Sequence, residues 1–127
     1  MVSWACGDVV VVRVGGSMKT VAIISQKGGA GKTTLAVHLG TAAARAGHIS
    51  AIIDLDPQAT AASWGDRRQA AEPEVISGQA VRLPALMKTA RDNGADFLVL
   101  DTAPNADQTA SLAARSADLV LIPCRAA

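Results

Sequence analysis

Short apolar runs alternate along the chain with longer segments in which apolar residues recur every three or four positions. The short runs are mostly aliphatic, which is typical of strands that are buried on both faces of a sheet. They predict strands over Thr20–Ser25, Ile49–Asp54, Glu74–Ile76, Phe97–Asp101 and Leu119–Pro123. The longer segments predict helices over Thr33–Ala46, Ala59–Ala71, Pro84–Asn93 and Asp107–Arg115.

Regular alternation of strand and helix predicts the fold class, because parallel strands need a crossover helix between them. We expect an α/β fold with a parallel sheet and helices on both faces, in three layers, over residues 18–127. Gly47 and Gly94 directly follow two of the predicted helices and are placed to end them.

The first 17 residues differ from the rest. They hold a valine-rich run, Val9–Val14, and end in Gly15-Gly16-Ser17, which is typical of a linker. Either this run forms an extra edge strand, or residues 1–17 are a non-native or flexible extension before a start at Met18. We favour the extension, since the pattern after Met18 is complete without it.

The composition argues against several classes of protein. The chain has 127 residues, a net charge of +1 and 2% aromatic residues, so it lacks the basic surplus and stacking platform of many nucleic-acid-binding domains. Cys6 and Cys124 are too far apart in sequence to form a Cys-x-x-Cys motif. No apolar segment is long enough to cross a membrane, and no secretory signal is visible, so we expect a cytoplasmic protein.

A glycine-rich loop carries the strongest chemical signal. It lies between the first predicted strand and the first helix, where main-chain N–H groups and the helix N-terminus can bind phosphate. In such a loop, Lys32 reaches the β- and γ-phosphates and the Thr33 hydroxyl ligates Mg²⁺. The loop residues expected to bind the phosphates of a nucleotide are Lys27, Gly28, Gly29, Ala30, Gly31, Lys32, Thr33 and Thr34.

The loop departs from the common phosphate-loop pattern at its entrance, where Gln26 replaces a glycine and a second lysine, Lys27, follows. This arrangement resembles the deviant Walker A motif of the ParA/MinD superfamily of ATPases. The resemblance implies that Lys27 reaches across a nucleotide-sandwich dimer to the phosphates held by the partner, and that Lys27 and Lys32 both act in catalysis.

Acidic residues end two of the predicted strands. Asp54 and Asp56 are two positions apart, so their carboxylates share one side if the strand stays extended, and two acids beside a triphosphate need a cation between them. This stretch resembles the second motif of the family. There, the acid equivalent to Asp56 positions the attacking water, and the acid equivalent to Asp54 orders the surroundings of the metal.

Asp101 ends an apolar strand and precedes Thr102-Ala103-Pro104, which resembles a Walker B acid followed by a switch segment over Asp101–Asn105. The resemblance implies a Mg²⁺ site formed by Thr33, Asp54 and Asp101, partly through water. Gln58–Trp64 and Leu119–Pro123 look most like the short ParA-type partition ATPases.

The resemblance implies a Mg²⁺·ATP-dependent dimerising switch in plasmid or chromosome partition. Its expected partners are a second copy of the chain, a ParB-like protein and, in the full-length relative, nonspecific DNA, so the protein could associate with the nucleoid. Family members continue well beyond Ala127, so we expect a C-terminally truncated chain with an exposed sheet edge. Two alternatives stay open: a noncatalytic fragment that binds nucleotide weakly or only pairs with another chain, and a MinD-like regulator of the division site.

Overall fold

Strands and helices alternate along the chain as the sequence predicts. The computed structural model describes residues 18–24, 32–56, 61, 64, 73–103 and 107–123. The strands are β1 (Lys19–Ile23), β2 (Ser50–Asp54), β3 (Glu74–Ser77), β4 (Phe97–Asp101) and β5 (Leu119–Leu121). The helices are α1 (Lys32–Arg45), α2 (Leu83–Asp92) and α3 (Asp107–Ser116), with a 3₁₀ turn over Ala80–Arg82.

These bounds agree with the predicted ones to within two residues, and only the 3₁₀ turn had no counterpart among the predictions. Ala61 and Trp64 are both helical, as expected for part of the segment Ala59–Ala71. The extension over residues 1–17 and most of Ala59–Ala71 lie outside the described residues, as does Cys124.

The five strands form one parallel sheet in the order β3-β2-β4-β1-β5. β4 is therefore inserted between β1 and β2, which precede it in the chain. The sheet confirms the predicted α/β class.

Helices cover both faces of the sheet. Neighbouring residues of a strand point to opposite sides, so each strand contributes apolar side chains to both faces. On one face, Ile53 and Leu98 belong to an apolar cluster that includes residues of α2 and α3. On the other face, Ile52 and Val99 join a cluster that includes residues of α1 and Ala61. Three layers are therefore present, with α1 opposite α2 and α3.

Helices α1 and α2 end in the same way. Gly47 and Gly94, each two residues after the last helical residue, adopt positive φ angles of 95° and 91°. His48 donates its N–H to the Ala43 carbonyl at 3.0 Å, and Ala95 donates to the Ala90 carbonyl at 3.0 Å. These six-residue hydrogen bonds satisfy carbonyl groups that the helix leaves unpaired, and the left-handed glycine they require explains why the predicted stops are correct.

The edge strand β5 is more exposed than its apolar sequence suggests. It ends at Leu121, two residues before the predicted end at Pro123. Leu119 is 54% exposed and Ile122 is 59% exposed. In the described part of the sheet β5 pairs only with β1, so it lacks the second neighbour that buries the central strands.

Candidate nucleotide site

The carboxyl ends of four strands meet in a single row. Cα pairing aligns Ile23 of β1 with Asp101 of β4, Asp101 with Asp54 of β2, and Asp54 with Ser77 of β3. Ligands of open parallel α/β sheets bind at this edge, beyond the ends of the strands. The fold therefore brings Asp54 and Asp101 onto neighbouring strands, although they are far apart in the sequence.

Asp54 and Asp101 are both fully buried, with no exposed surface on either residue. Neighbouring strands lie about 4.8 Å apart, so two ionised carboxylates on them repel each other strongly in a medium of low dielectric constant. A divalent cation with its water shell offsets that repulsion, and carboxylate oxygens are the ligands that Mg²⁺ prefers. The donor chemistry of this pair therefore fits a hydrated Mg²⁺ ion.

Hydrogen bonds continue past the end of β2. Asp54 accepts a hydrogen bond at Oδ1 from the main-chain N–H of Asp56, with a distance of 3.0 Å. Leu55 donates its N–H to the Asp101 carbonyl at 2.8 Å, and Gly78 donates to the Asp54 carbonyl at 3.1 Å. β2 ends at Asp54, and Asp56, two residues further on, is half-buried.

The segment after β4 is tied to the end of β1. Thr102 is fully buried, and its hydroxyl donates to the Ile23 carbonyl at 2.9 Å. The Thr102 N–H points to the same carbonyl oxygen at 3.4 Å. From sequence, Thr102 is predicted only as part of the switch segment. A threonine directly after a strand-end acid is the signal available in sequence, but it does not identify the acceptor.

Of the predicted phosphate loop, the structure describes only the end. Lys32, Thr33 and Thr34 are the first residues of α1, one residue earlier than the predicted helix start, and nothing is described of their side chains. The five preceding loop positions, residues 27–31, lie outside the described residues, as do Pro104 and Asn105. Because β1 ends at Ile23 in the strand-end row, the chain enters this loop from the edge that carries Asp54 and Asp101.

Within the described ranges, no group of three or more His, Cys, Asp or Glu side chains is arranged to hold a metal ion. Two neighbouring carboxylates alone provide too few ligands for the six positions of an octahedral ion. A Mg²⁺ ion at this edge would take its remaining ligands from water, from a phosphate group and from a hydroxyl such as that of Thr33.

Residues 21–120 match the family model described as the CobQ/CobB/MinD/ParA nucleotide binding domain. The chain belongs to this family. The matched range contains the whole glycine-rich loop, all three candidate acids and all or part of each of the five strands. Membership confirms the family that the loop and the two acidic motifs indicated from sequence.

Named members of the family include partition proteins. The chain is 36% identical over 111 residues to Protein ParA of Rhizobium radiobacter, covering 85% of the chain and 49% of that protein. It is 29% identical over 138 residues to the chromosome-partitioning ATPase Soj of Thermus thermophilus, covering 86% of the chain and 55% of that protein. The chain thus spans about half the length of the curated relatives it matches.

Solved structures of the family share the fold. A variant of McdA from Cyanothece in complex with ATP matches with a TM-score of 0.69 at 23% identity, over 87% of this chain and 57% of that one. Cobyrinic acid a,c-diamide synthase from Mycobacterium smegmatis matches with a TM-score of 0.60 at 19% identity, over 84% of this chain and 60% of that one. None of the helices in the described residues is both long and apolar enough to cross a membrane.

Proposed function

We propose that this chain is the nucleotide-binding part of a ParA-type ATPase, in which Mg²⁺·ATP drives pairing of two copies during plasmid or chromosome partition. The alignment of buried Asp54 and Asp101 at the carboxyl edge, beside the end of β1, carries this proposal. Similarity to ParA and Soj favours partition over the division-site role of MinD-like proteins.

In this proposal the loop binds the triphosphate. Main-chain N–H groups of residues 27–31 and the N-terminus of α1 face the phosphates, where the partial positive charge of a helix end favours an anion. Lys32 contacts the β- and γ-phosphates, and Lys27 contacts the phosphates held by the second copy. The Thr33 hydroxyl and the carboxylates of Asp54 and Asp101 would hold Mg²⁺, partly through water.

Hydrolysis is the attack of water on the γ-phosphorus, which breaks the bond to the bridging oxygen and releases ADP and phosphate. Asp56 positions that water. Its main-chain N–H donates to Oδ1 of Asp54, which links the proposed metal-side acid to the backbone of the proposed water-side acid. Further partners of the full-length protein are a ParB-like protein and nonspecific DNA, and its proposed location is the cytoplasm, on or near the nucleoid.

Phosphate release and molar mass together test the proposal. The whole chain is incubated with Mg²⁺·ATP, phosphate release is followed over time, and light scattering gives the mass with ATP and with ADP. We expect slow release and an ATP-dependent dimer. Lys32→Ala should lower the release rate about 10²-fold or more, the loss seen when one group that stabilises transition-state charge is removed.

Lys27→Ala should bind nucleotide but stay monomeric. Lys88→Ala is the matched control, since Lys88 is an exposed lysine on α2 that pairs with Asp92 at 2.6 Å. Nucleotide binding without phosphate release would support the noncatalytic alternative, and a mass that ignores ATP would contradict the dimer.

A further inference from the structure

A fully buried hydroxyl joins the two strands whose ends lead into the candidate phosphate loop and the candidate switch segment. Thr102 follows Asp101 at the end of β4, and Ile23 ends β1. The two residues are 79 positions apart in sequence and are joined by the 2.9 Å bond from the Thr102 hydroxyl to the Ile23 carbonyl. We propose that Thr102 is a positioning residue that fixes Asp101 relative to the start of the phosphate loop.

This bond holds the end of β4 to the end of β1 at the point where the regular pairing of the two strands stops. Regular ladder pairing between β1 and β4 ends at Ile23 and Asp101. The next link is made by Thr102, whose N–H is 3.4 Å from the Ile23 oxygen, longer than an ordinary main-chain bond. The hydroxyl, at 2.9 Å, is therefore the shorter of the two contacts that hold the strand ends together beyond the ladder.

Burial increases the importance of this contact. Thr102 and Ile23 each have no exposed surface, so water cannot replace the hydroxyl if it is removed. Ile24, the first residue after β1, donates its N–H to the Leu121 carbonyl at 3.0 Å on the opposite side. The exit of β1 is thus held from both neighbouring strands, and Thr102 provides the link on the side of Asp101.

The inference rests on the proposed function, because it assigns Thr102 a role in placing Asp101 near Mg²⁺. A displaced Asp101 weakens the contribution of Mg²⁺ to nucleotide binding more than it weakens the binding of phosphate by the loop itself. A group that orients a metal-bound ligand through a hydrogen bond changes metal affinity by about 10–100-fold when it is removed. Thr102 acts one step further away, so we expect the lower end of that range.

The test measures dissociation constants for ADP, with Mg²⁺ and with EDTA, on the whole chain. In Thr102→Val, which keeps the shape and removes the hydroxyl, affinity should fall about tenfold with Mg²⁺ and remain within about twofold of wild type in EDTA. Thr102→Ser retains the hydroxyl and should restore the Mg²⁺-dependent affinity. Thr89→Val is the matched control, since the Thr89 hydroxyl donates to the Ala85 carbonyl at 3.0 Å on the exposed face of α2.

Equal affinity losses in Mg²⁺ and in EDTA would show a general structural role and overturn the inference, as would wild-type affinities in Thr102→Val. If Thr102→Val does not fold, Thr102→Ala is compared with Thr102→Ser, because both lack the methyl group and differ only in the hydroxyl. Failure of the proposed function has a different signature: the wild-type chain itself would bind no ADP under either condition.

Discussion

Asp54 and Asp101 are direct Cα partners across β2 and β4, and neither has any surface exposed to solvent. Two buried acids on adjacent strands are costly for the fold unless a cation or hydrogen bonds offset their charges. Asp54 already accepts one such hydrogen bond from the Asp56 N–H, and a bound cation would offset the charge of the pair further.

Asp101→Asn separates the cost of the buried charges from the binding of the cation. Removing one of two neighbouring negative charges should leave the metal-free midpoint of thermal unfolding unchanged or higher. The same change should weaken the binding of Mg²⁺·ADP by about 10–100-fold, because Asp101 is proposed to hold Mg²⁺ through water. Thermal scans in EDTA and in Mg²⁺·ADP measure both quantities, and a lower midpoint in EDTA combined with normal Mg²⁺·ADP binding would contradict the assignment.

The apolar centre of the sheet should dominate stability. Leu98 is fully buried in the middle of β4, whereas Leu119 on β5 is 54% exposed. Leu98→Ala should lower the free energy of unfolding by about 2–5 kcal/mol, the usual cost of truncating a buried leucine. Leu119→Ala removes the same atoms from a partly exposed site and should cost less than about 1 kcal/mol. Urea unfolding of both variants checks the difference, and equal losses would place β5 in the core.

Substitution of Gly47, in the left-handed turn after α1, should lower stability through backbone strain and not through a steric clash. A Cβ atom added at Gly47 would have nothing within 4 Å, so Gly47→Ala tests only the positive φ of 95°. We expect a loss of about 1–2 kcal/mol in the free energy of unfolding. Gly47→Asn should lose less, because asparagine tolerates this region better than alanine does. Chemical denaturation ranks the variants, and an unchanged stability of Gly47→Ala would show that the turn relaxes.

Asp118 links the turn before β5 to β1 through two hydrogen bonds. Its carboxylate accepts the Thr20 N–H at 2.8 Å, and its own N–H donates to the Thr20 carbonyl at 2.8 Å. Asp118→Ala leaves a buried N–H without its acceptor, which costs about 1–3 kcal/mol. Asp118→Asn keeps an acceptor oxygen and should lose less. Hydrogen exchange at Thr20 reports the change directly, and equal protection in wild type and Asp118→Ala would exclude this role.

Local sequence predicted most of the fold because apolar periodicity and helix stops are local signals. Phe97–Asp101 was predicted with its observed bounds, and Gly47 and Gly94 end their helices as expected. The 3₁₀ turn over Ala80–Arg82 was missed, since three residues carry no periodicity. The exposure of Leu119 was also beyond the sequence, because it follows from strand order.

The candidate site shows the same division. Sequence placed Asp54 and Asp101 at strand ends, but only the order β2-β4-β1 makes them neighbours. The same strand order determines which group accepts the Thr102 hydrogen bond. Ile23 belongs to β1, which pairs with β4 on the side opposite to β2. The proposed roles of Lys27, Lys32 and Asp56 still rest on the resemblance of their motifs to the family.

The central position of β4 has a consequence for biosynthesis. β1 and β2 leave the ribosome first, yet neither pairs with the other, and both pair with a strand that is translated later. Before residues 97–101 emerge, β1 has no strand to pair with and β2 can pair only with β3, so we expect this to be the interval in which the nascent chain is most prone to aggregate or to recruit a chaperone. A pause in translation before β4 would lengthen that interval, whereas a pause after β4 would leave the centre of the sheet free to form.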